Sequence, residues 1–155
     1  MSGVTSYVVN LCARGTKETR TRLLPSKRIF FCQQMANDIC DELIENDWLR
    51  FTDSSRIPHV GGIYVIGVKR STKRAITYLY LGQAKDVHNR IKRHKYGDQK
   101  ISDFIRRNLE RNSGNDLRVK WIEEERHKFK ERVYINCMEK KLGYKLKYNM
   151  KRGNN

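Results

Sequence analysis

Two runs, GGIYVIGV at 61–68 and ITYLYLG at 76–82, constrain this chain more than any other part of it. Both are built from β-branched and aromatic residues, which favour a pleated, half-buried backbone, so each reads as a strand. The polar STKRA at 71–75 is too short for a crossover, and the two strands must therefore form an antiparallel hairpin. Downstream, AKDVHNRIKRHK (84–95) and KISDFIRRNLERN (100–112) carry helical periodicity on either side of a turn at Gly97, and DLRVKWIE (116–123) alternates as a third strand should. RHKFKERVYINCMEKKLG (126–143) reads as a closing helix ended by Gly143, with YKLKYN (144–149) as a tail strand or ordered coil. The expected class is α+β: a small antiparallel, three-stranded sheet flanked by helices.

The first sixty residues read as an extension of unknown role, separate from a domain over 61–155. SYVVNLCA (6–13) is a short strand candidate, and Ser26 can cap a helix running to about Trp48 that puts Cys32, Ala36, Ile39 and Leu43 on one face. FTDSSRIPHV (51–60) reads as a loop, because Pro58 argues against regular structure.

Charge divides at the same place. Of 33 Lys/Arg and 17 Asp/Glu, residues 1–60 hold 8 and 7, and residues 61–155 hold 25 and 10, so the second part carries +15 of the net +16. A domain so basic has the electrostatic footprint of a nucleic-acid binder, since each phosphate it neutralises releases counterions. A solvated basic face, or attraction to an acidic membrane surface, are the plainer readings. The four cysteines, at 12, 32, 40 and 137, form no C-x-x-C pair and have no histidine at zinc-finger spacing, so reduced, mostly buried thiols are expected. The chain has no apolar run of about eighteen residues and no signal-peptide core in its first residues, which together suit a soluble intracellular protein.

If the hairpin turns at Thr72, paired positions sum to 144, and Tyr64 and Tyr80 lie directly opposite each other, with Ile63, Val65, Leu79 and Leu81 on the other face. Ordinary cross-strand aromatic packing accounts for such a pair. Gly82 then lets the strand turn into a helix on which Asp86, Arg90 and His94 recur every fourth residue, sharing a face, while Val87 and Ile91 point inward. An Asp86–Arg90 surface pair and a solvated His94 are the bland explanation. The alternative is that the planar fork of Arg90 grips the non-bridging oxygens of a phosphate.

In this order and spacing the residues resemble the GIY-YIG nuclease family over about residues 60–150. Gly62, Ile63 and Tyr64 supply the first element; Tyr80, Leu81 and Gly82 supply the second, with leucine in place of isoleucine. Arg90 follows the second tyrosine by ten positions and His94 by fourteen, as in that family, and GQAKDVHNRIKRH (82–94) looks most like its homing-endonuclease branch. The resemblance implies an endonuclease that hydrolyses DNA phosphodiesters with one Mg²⁺ or Mn²⁺ held by a glutamate of the last helix. Glu131, in ERVYI, fits the Glu-x-x-x-Ile pattern and shares a face with Tyr134, Ile135, Met138 and Leu142; Glu139, nearer to Asn149, is the alternative. Asn149 matches the asparagine that braces the family's site.

The implied mechanism has water attacking phosphorus in line, with Tyr64 as base or water-positioning group, Tyr80 and Gly82 at the phosphate, and His94 taking the proton or polarising Tyr64. A phenol ionises near pH 10, so acting near neutrality asks for roughly 4 kcal/mol of phenolate stabilisation, to come from the metal, Lys85 and Arg90. Some relatives carry a lysine three positions after the second tyrosine; here that residue is Gln83, and Lys85 either substitutes for it or only contacts the nucleic-acid backbone. Arg106, Arg107 and Arg111 would extend the phosphate-binding surface, though a solvated basic face explains them equally well. The expected partner is double-stranded DNA, with a homodimer needed to cut both strands. The competing expectation is a non-catalytic DNA- or RNA-binding module on the same basic surface.

Overall fold

The computed structural model describes residues 25–110, 115–124 and 131–150. The strand expected at 6–13, Cys12, the Cys32 side chain, Arg111 and residues 126–130 lie outside them. Helix α1 (Pro25–Glu45) leads into the two-residue strand β1 (Leu49–Arg50) and a 3₁₀ turn (Phe51–Arg56). The hairpin β2 (Gly62–Arg70) and β3 (Thr77–Ala84) follows, then α2 (Val87–Arg93), α3 (Lys100–Glu110), β4 (Asn115–Glu123) and α4 (Glu131–Leu142). A second 3₁₀ turn, Lys147–Asn149, stands where a tail strand or coil was expected.

The class is α+β with one antiparallel sheet, as expected, but among the described residues the sheet has four strands, in the order β1-β4-β2-β3. The fourth strand is too short to show in the sequence: Leu49 and Arg50 pair with Val119 and Arg118. Phe51 is buried, so the segment expected as a loop begins with a core residue and coils into a 3₁₀ turn. Helix α1 stops at Glu45, short of Trp48, and Ser26 lies within its first turn after an already helical Pro25, not ahead of it as a cap.

β2 is central and covered on both sides, which is why its residues from Gly62 to Val68 are all buried. Its odd positions Ile63 and Val65 join Leu81, Ala36, Ile39 and Leu43 of α1, and Tyr134, Ile135 and Met138 of α4 in one core cluster. Its even positions Tyr64, Ile66 and Val68 join Phe51, Val87, Ile91, Ile101, Ile105 and Val119 in another. Residues 25–60 therefore contribute to both layers: α1 closes one face and Phe51 and Ile57 help to close the other.

The hairpin register departs from the one expected. The amide of Lys73 bonds to Arg70 O (3.1 Å), closing a turn, but the connection runs on to Ile76. Tyr64 consequently faces Gly82, and Ile66 faces Tyr80. A bulge between Ile66 and Gly67 then leaves Leu79 as an extra residue on β3, since Gly67 pairs with Tyr78. Leu79 and Tyr80 both pack on the Tyr64 side, so Leu79 does not join Ile63 and Val65 as alternation alone would have it.

Candidate functional site

The site lies on the α2/α3 side of the sheet. Tyr64 and Tyr80 are diagonal neighbours rather than directly opposed, and they share a face, with ring centroids 6.2 Å apart. His94 completes a three-ring cluster, 5.8 Å from Tyr64 and 5.2 Å from Tyr80 between centroids. The Tyr64 hydroxyl and His94 Nε2 are 2.7 Å apart. Both residues are nearly sealed, Tyr64 at 1% and His94 at 4% exposure, whereas Tyr80 is half-buried and reaches the surface.

Gly82 makes this arrangement possible in a way the sequence did not suggest. It is a strand residue, not the strand-to-helix turn, since β3 continues to Ala84 and α2 starts at Val87. A Cβ at Gly82 would lie 2.4 Å from the Tyr64 hydroxyl oxygen and 2.5 Å from Cζ. The missing side chain is the space the phenol occupies as it crosses β3 towards His94.

Each remaining candidate is held differently. Asp86 is the N-cap of α2: its carboxylate accepts from the Asn89 backbone N–H (2.9 Å) and Nδ2 (3.0 Å) and lies 2.9 Å from His59 Nδ1. It is thus engaged away from Arg90, and the Asp86–Arg90 pair is not formed. Arg90 is exposed on the last turn of α2, and its charge pulls the pKa of both tyrosine hydroxyls downward. The Glu131 carboxylate, at the start of α4, acts on the same two hydroxyls and pushes both up. Glu139 does not share that role: its Oε2 accepts the Leu146 backbone N–H at 2.7 Å, tying the tail to α4 beyond Gly143, whose φ of 80° ends the helix.

Asn149 braces the site through the backbone. Its Oδ1 accepts from Leu81 N (2.7 Å) and its Nδ2 donates to Leu81 O (2.9 Å), so one side chain pairs like a neighbouring strand with the residue between Tyr80 and Gly82. Lys85 is exposed and is not among the charges acting on Tyr80. The Oε1 of Gln83, at the position where a lysine stands in some relatives of the resembled family, is buried with no hydrogen-bond partner. Arg106 is not a free phosphate contact either, because its guanidinium bonds Lys95 O, Gly97 O and Asp103. Arg107 is exposed.

Burial governs the electrostatics. It pushes Tyr64 well above the usual phenol range, with Tyr80 and Glu131 adding to the rise and Arg90 opposing it. The protein alone therefore holds Tyr64 as a neutral phenol, against the expectation that neighbouring cations favour phenolate. Burial and then Arg90 pull His94 down to about 4, so its imidazole is neutral at pH 7. With the neutral imidazole protonated at Nδ1, Nε2 accepts from the Tyr64 hydroxyl; the other tautomer reverses the direction.

Among the described residues no three His, Cys, Asp or Glu gather as metal ligands. The donor facing the tyrosines is one carboxylate, a hard oxygen group of the kind that holds Mg²⁺ or Mn²⁺ when substrate phosphate and water complete the shell. Glu131 fits such an ion; it does not fit a closed protein cage. Cys40, buried on α1, and Cys137, half-buried on α4, are free thiols, and burial raises both. No helix among the described residues is long and apolar enough to cross a membrane. No protein-family model matches the chain, and no curated protein matches it.

Proposed function

We propose that the chain is a GIY-YIG-like endonuclease that hydrolyses DNA phosphodiester bonds, with its active site at Tyr64, Tyr80, Arg90, His94 and Glu131. The observation that carries this reading is the buried Tyr64–His94 contact of 2.7 Å, backed by a guanidinium and a carboxylate that both act on the tyrosine hydroxyls. A phenol sealed against a neutral imidazole is a poised proton path; a buried hydroxyl takes a partner for the fold alone, so it is the guanidinium and carboxylate acting on the same hydroxyl that favour chemistry.

In this reading Arg90, exposed at the mouth, holds the non-bridging oxygens and offsets charge developing on the phosphoryl group. Because Tyr64 is sealed, the surface role passes to Tyr80, whose hydroxyl positions the attacking water. The attacking water's proton passes to the Tyr80 hydroxyl as Tyr80 hands its own to Tyr64 and Tyr64 hands its own to His94 Nε2, so no free phenolate is required, and the leaving oxygen takes a proton from solvent. Glu131 would hold the divalent cation, which when bound supplies charge stabilisation at the phosphate oxygens. Lys85 and Gln83 are left with at most backbone contacts. The described basic residues of the 61–155 segment would supply salt-sensitive affinity for duplex DNA.

The second reading, a non-catalytic nucleic-acid-binding module, draws support from the upward shift of Tyr64, which keeps its hydroxyl protonated. Nicking of supercoiled plasmid in Mg²⁺ separates the two. Wild type should nick, and Arg90→Ala and Glu131→Gln should each lose about 100-fold or more, the size expected for removing one transition-state contact. Glu139→Gln should stay within about threefold of wild type, since its carboxylate serves the fold. If Arg90→Ala nicks as wild type does while both bind DNA, the catalytic reading is lost.

A further inference from the structure

We propose that Tyr96 is a stacking platform for an unpaired nucleobase of DNA, beside the phosphate assigned to Arg90; the inference rests on the nucleic-acid reading above and extends it. Tyr96 is 79% exposed, far more than any other large apolar side chain among the described residues. It sits between α2, which carries Arg90 and leads into His94, and α3.

The loop that presents it is fixed at both sides. Arg106 Nη1 donates to Lys95 O (3.2 Å) and to Gly97 O (2.7 Å), the carbonyls flanking Tyr96, and Asp103 holds the same guanidinium. The Tyr96 amide bonds Arg93 O at 3.0 Å. A Cβ at Gly97 would come 2.8 Å from the buried Ser102 Oγ, so the chain passes tightly against α3 at that point. The backbone is thus pinned while the ring is left in water, an arrangement that gains nothing in folding and pre-pays the ordering cost of a contact.

The surroundings select the partner. From Arg90 to Lys100 the sequence carries five Lys/Arg against one acid, Asp98, and Arg90, Lys92, Arg93 and Lys100 are exposed. An aromatic face amid cations matches a polyanion that bears aromatic faces, the combination single-stranded nucleic-acid sites use. A base inside a duplex shows only its edges, so the ring takes a base from a gap, an end or a flipped position.

The test uses a DNA duplex with a three-nucleotide gap containing 2-aminopurine, titrated in EDTA so that cleavage plays no part. Wild type should bind it more tightly than the fully paired duplex and quench the 2-aminopurine. Tyr96→Ala should lose the quench and weaken binding by about 5- to 150-fold, the range that corresponds to stacking one base on an aromatic side chain. Tyr96→Phe should stay within about twofold of wild type, because stacking needs the ring and not the hydroxyl. The proposal is overturned if Tyr96→Ala binds and quenches like wild type, if Tyr96→Phe falls with it, or if gapped and paired duplexes bind alike. A protein that shows the Tyr96 dependence but never nicks in Mg²⁺ removes the nuclease reading and leaves this one standing; a protein that does not bind DNA removes both.

Discussion

Lys120 and His94 are both basic groups taken out of water, on opposite faces of one sheet, and the protein has treated them in opposite ways. Lys120, 1% exposed, gives its ammonium to Ile44 O (2.7 Å) and Asn46 O (3.3 Å) at the end of α1, and lies over the rings of Trp48 (4.4 Å) and Tyr78 (5.0 Å). Carbonyl dipoles and π faces offset most of the cost of burying its charge, as suits a helix C-terminus whose own last turn has no basic residue. His94 hydrogen-bonds one phenol, packs beside a second and lies near a guanidinium, and it sheds its charge instead. A buried cation answered in this way is a structural clamp. A buried base left neutral, with its lone pair on an exchangeable proton, is available for chemistry.

The largest test of that contrast is activity. His94→Phe should lower plasmid nicking by about 10²- to 10⁴-fold, the usual contribution of a positioned proton acceptor. Lys120→Met should leave nicking within about threefold, because it touches nothing on the Tyr64 face. Equal losses from the two substitutions would erase the distinction between clamp and acceptor.

Stability separates them next, through pH. The folded-state pKa of His94, about 4, lies below the ordinary 6.5, so between those values the unfolded chain binds more protons. The stability associated with His94 is therefore complete above 6.5 and drains as pH falls through 4, by about 3 kcal/mol in all. Denaturant titrations at pH 7 and pH 4 should show that loss, and His94→Gln should show less of it by about that amount. For Lys120, burial lowers the pKa to about 8, so the same sign places its gain in stability on the alkaline side, as pH rises from about 8 towards 10.5. At neutral pH, Lys120→Ala should cost about 3 kcal/mol, since it leaves the last carbonyls of α1 unanswered and a hole beside Trp48.

Much of this was legible in the chain, and the failures share a cause. The β-branched run of β2, the alternation of β4 and the stop at Gly143 come from local pattern and stand where expected, while the helix after the second tyrosine is present but starts at Val87, later than the expected Ala84. The register of Tyr64 against Gly82 depends on a connection six residues long and on a bulge at Leu79, neither of which leaves a composition signal. β1 is two residues long, and pairing is the only thing that makes it a strand. His94 was expected in the site from its spacing after Tyr80, but helix periodicity alone left it as readily solvated, because its burial comes from the sheet beneath it and not from α2. Lys120 had no mark at all: its partners sit 74 and 76 positions away.

Gly82→Ala sharpens the comparison on the His94 side alone. The added methyl would meet the Tyr64 hydroxyl at 2.4 Å, and the nearest atoms belong to a ring already packed at 1% exposure. Overpacking of this kind costs about 1–3 kcal/mol, and the ring must leave His94 to make room. The expected signature is a fall in nicking with DNA affinity in EDTA unchanged, together with loss of the acid-side slope attributed to His94. Retention of both would mean the Tyr64–His94 contact is incidental to the site.

Asn149→Ala carries the smallest expected effect and tests the frame rather than the chemistry. β3 is an edge strand, and its outer side at Leu81 is closed by the two Asn149 bonds, with Tyr144 Oη accepting from Tyr78 N at 2.9 Å farther along. Removing the amide opens two backbone groups to water rather than stranding them in the core, so the cost should be about 1–2 kcal/mol, near the net worth of two hydrogen bonds. Hydrogen exchange at the Leu81 amide should speed up by about 5- to 30-fold, that energy read as a local opening, while the Lys120 face stays protected. Exchange that quickens equally on both faces would show that the tail stabilises the whole sheet and not the tyrosine strand in particular.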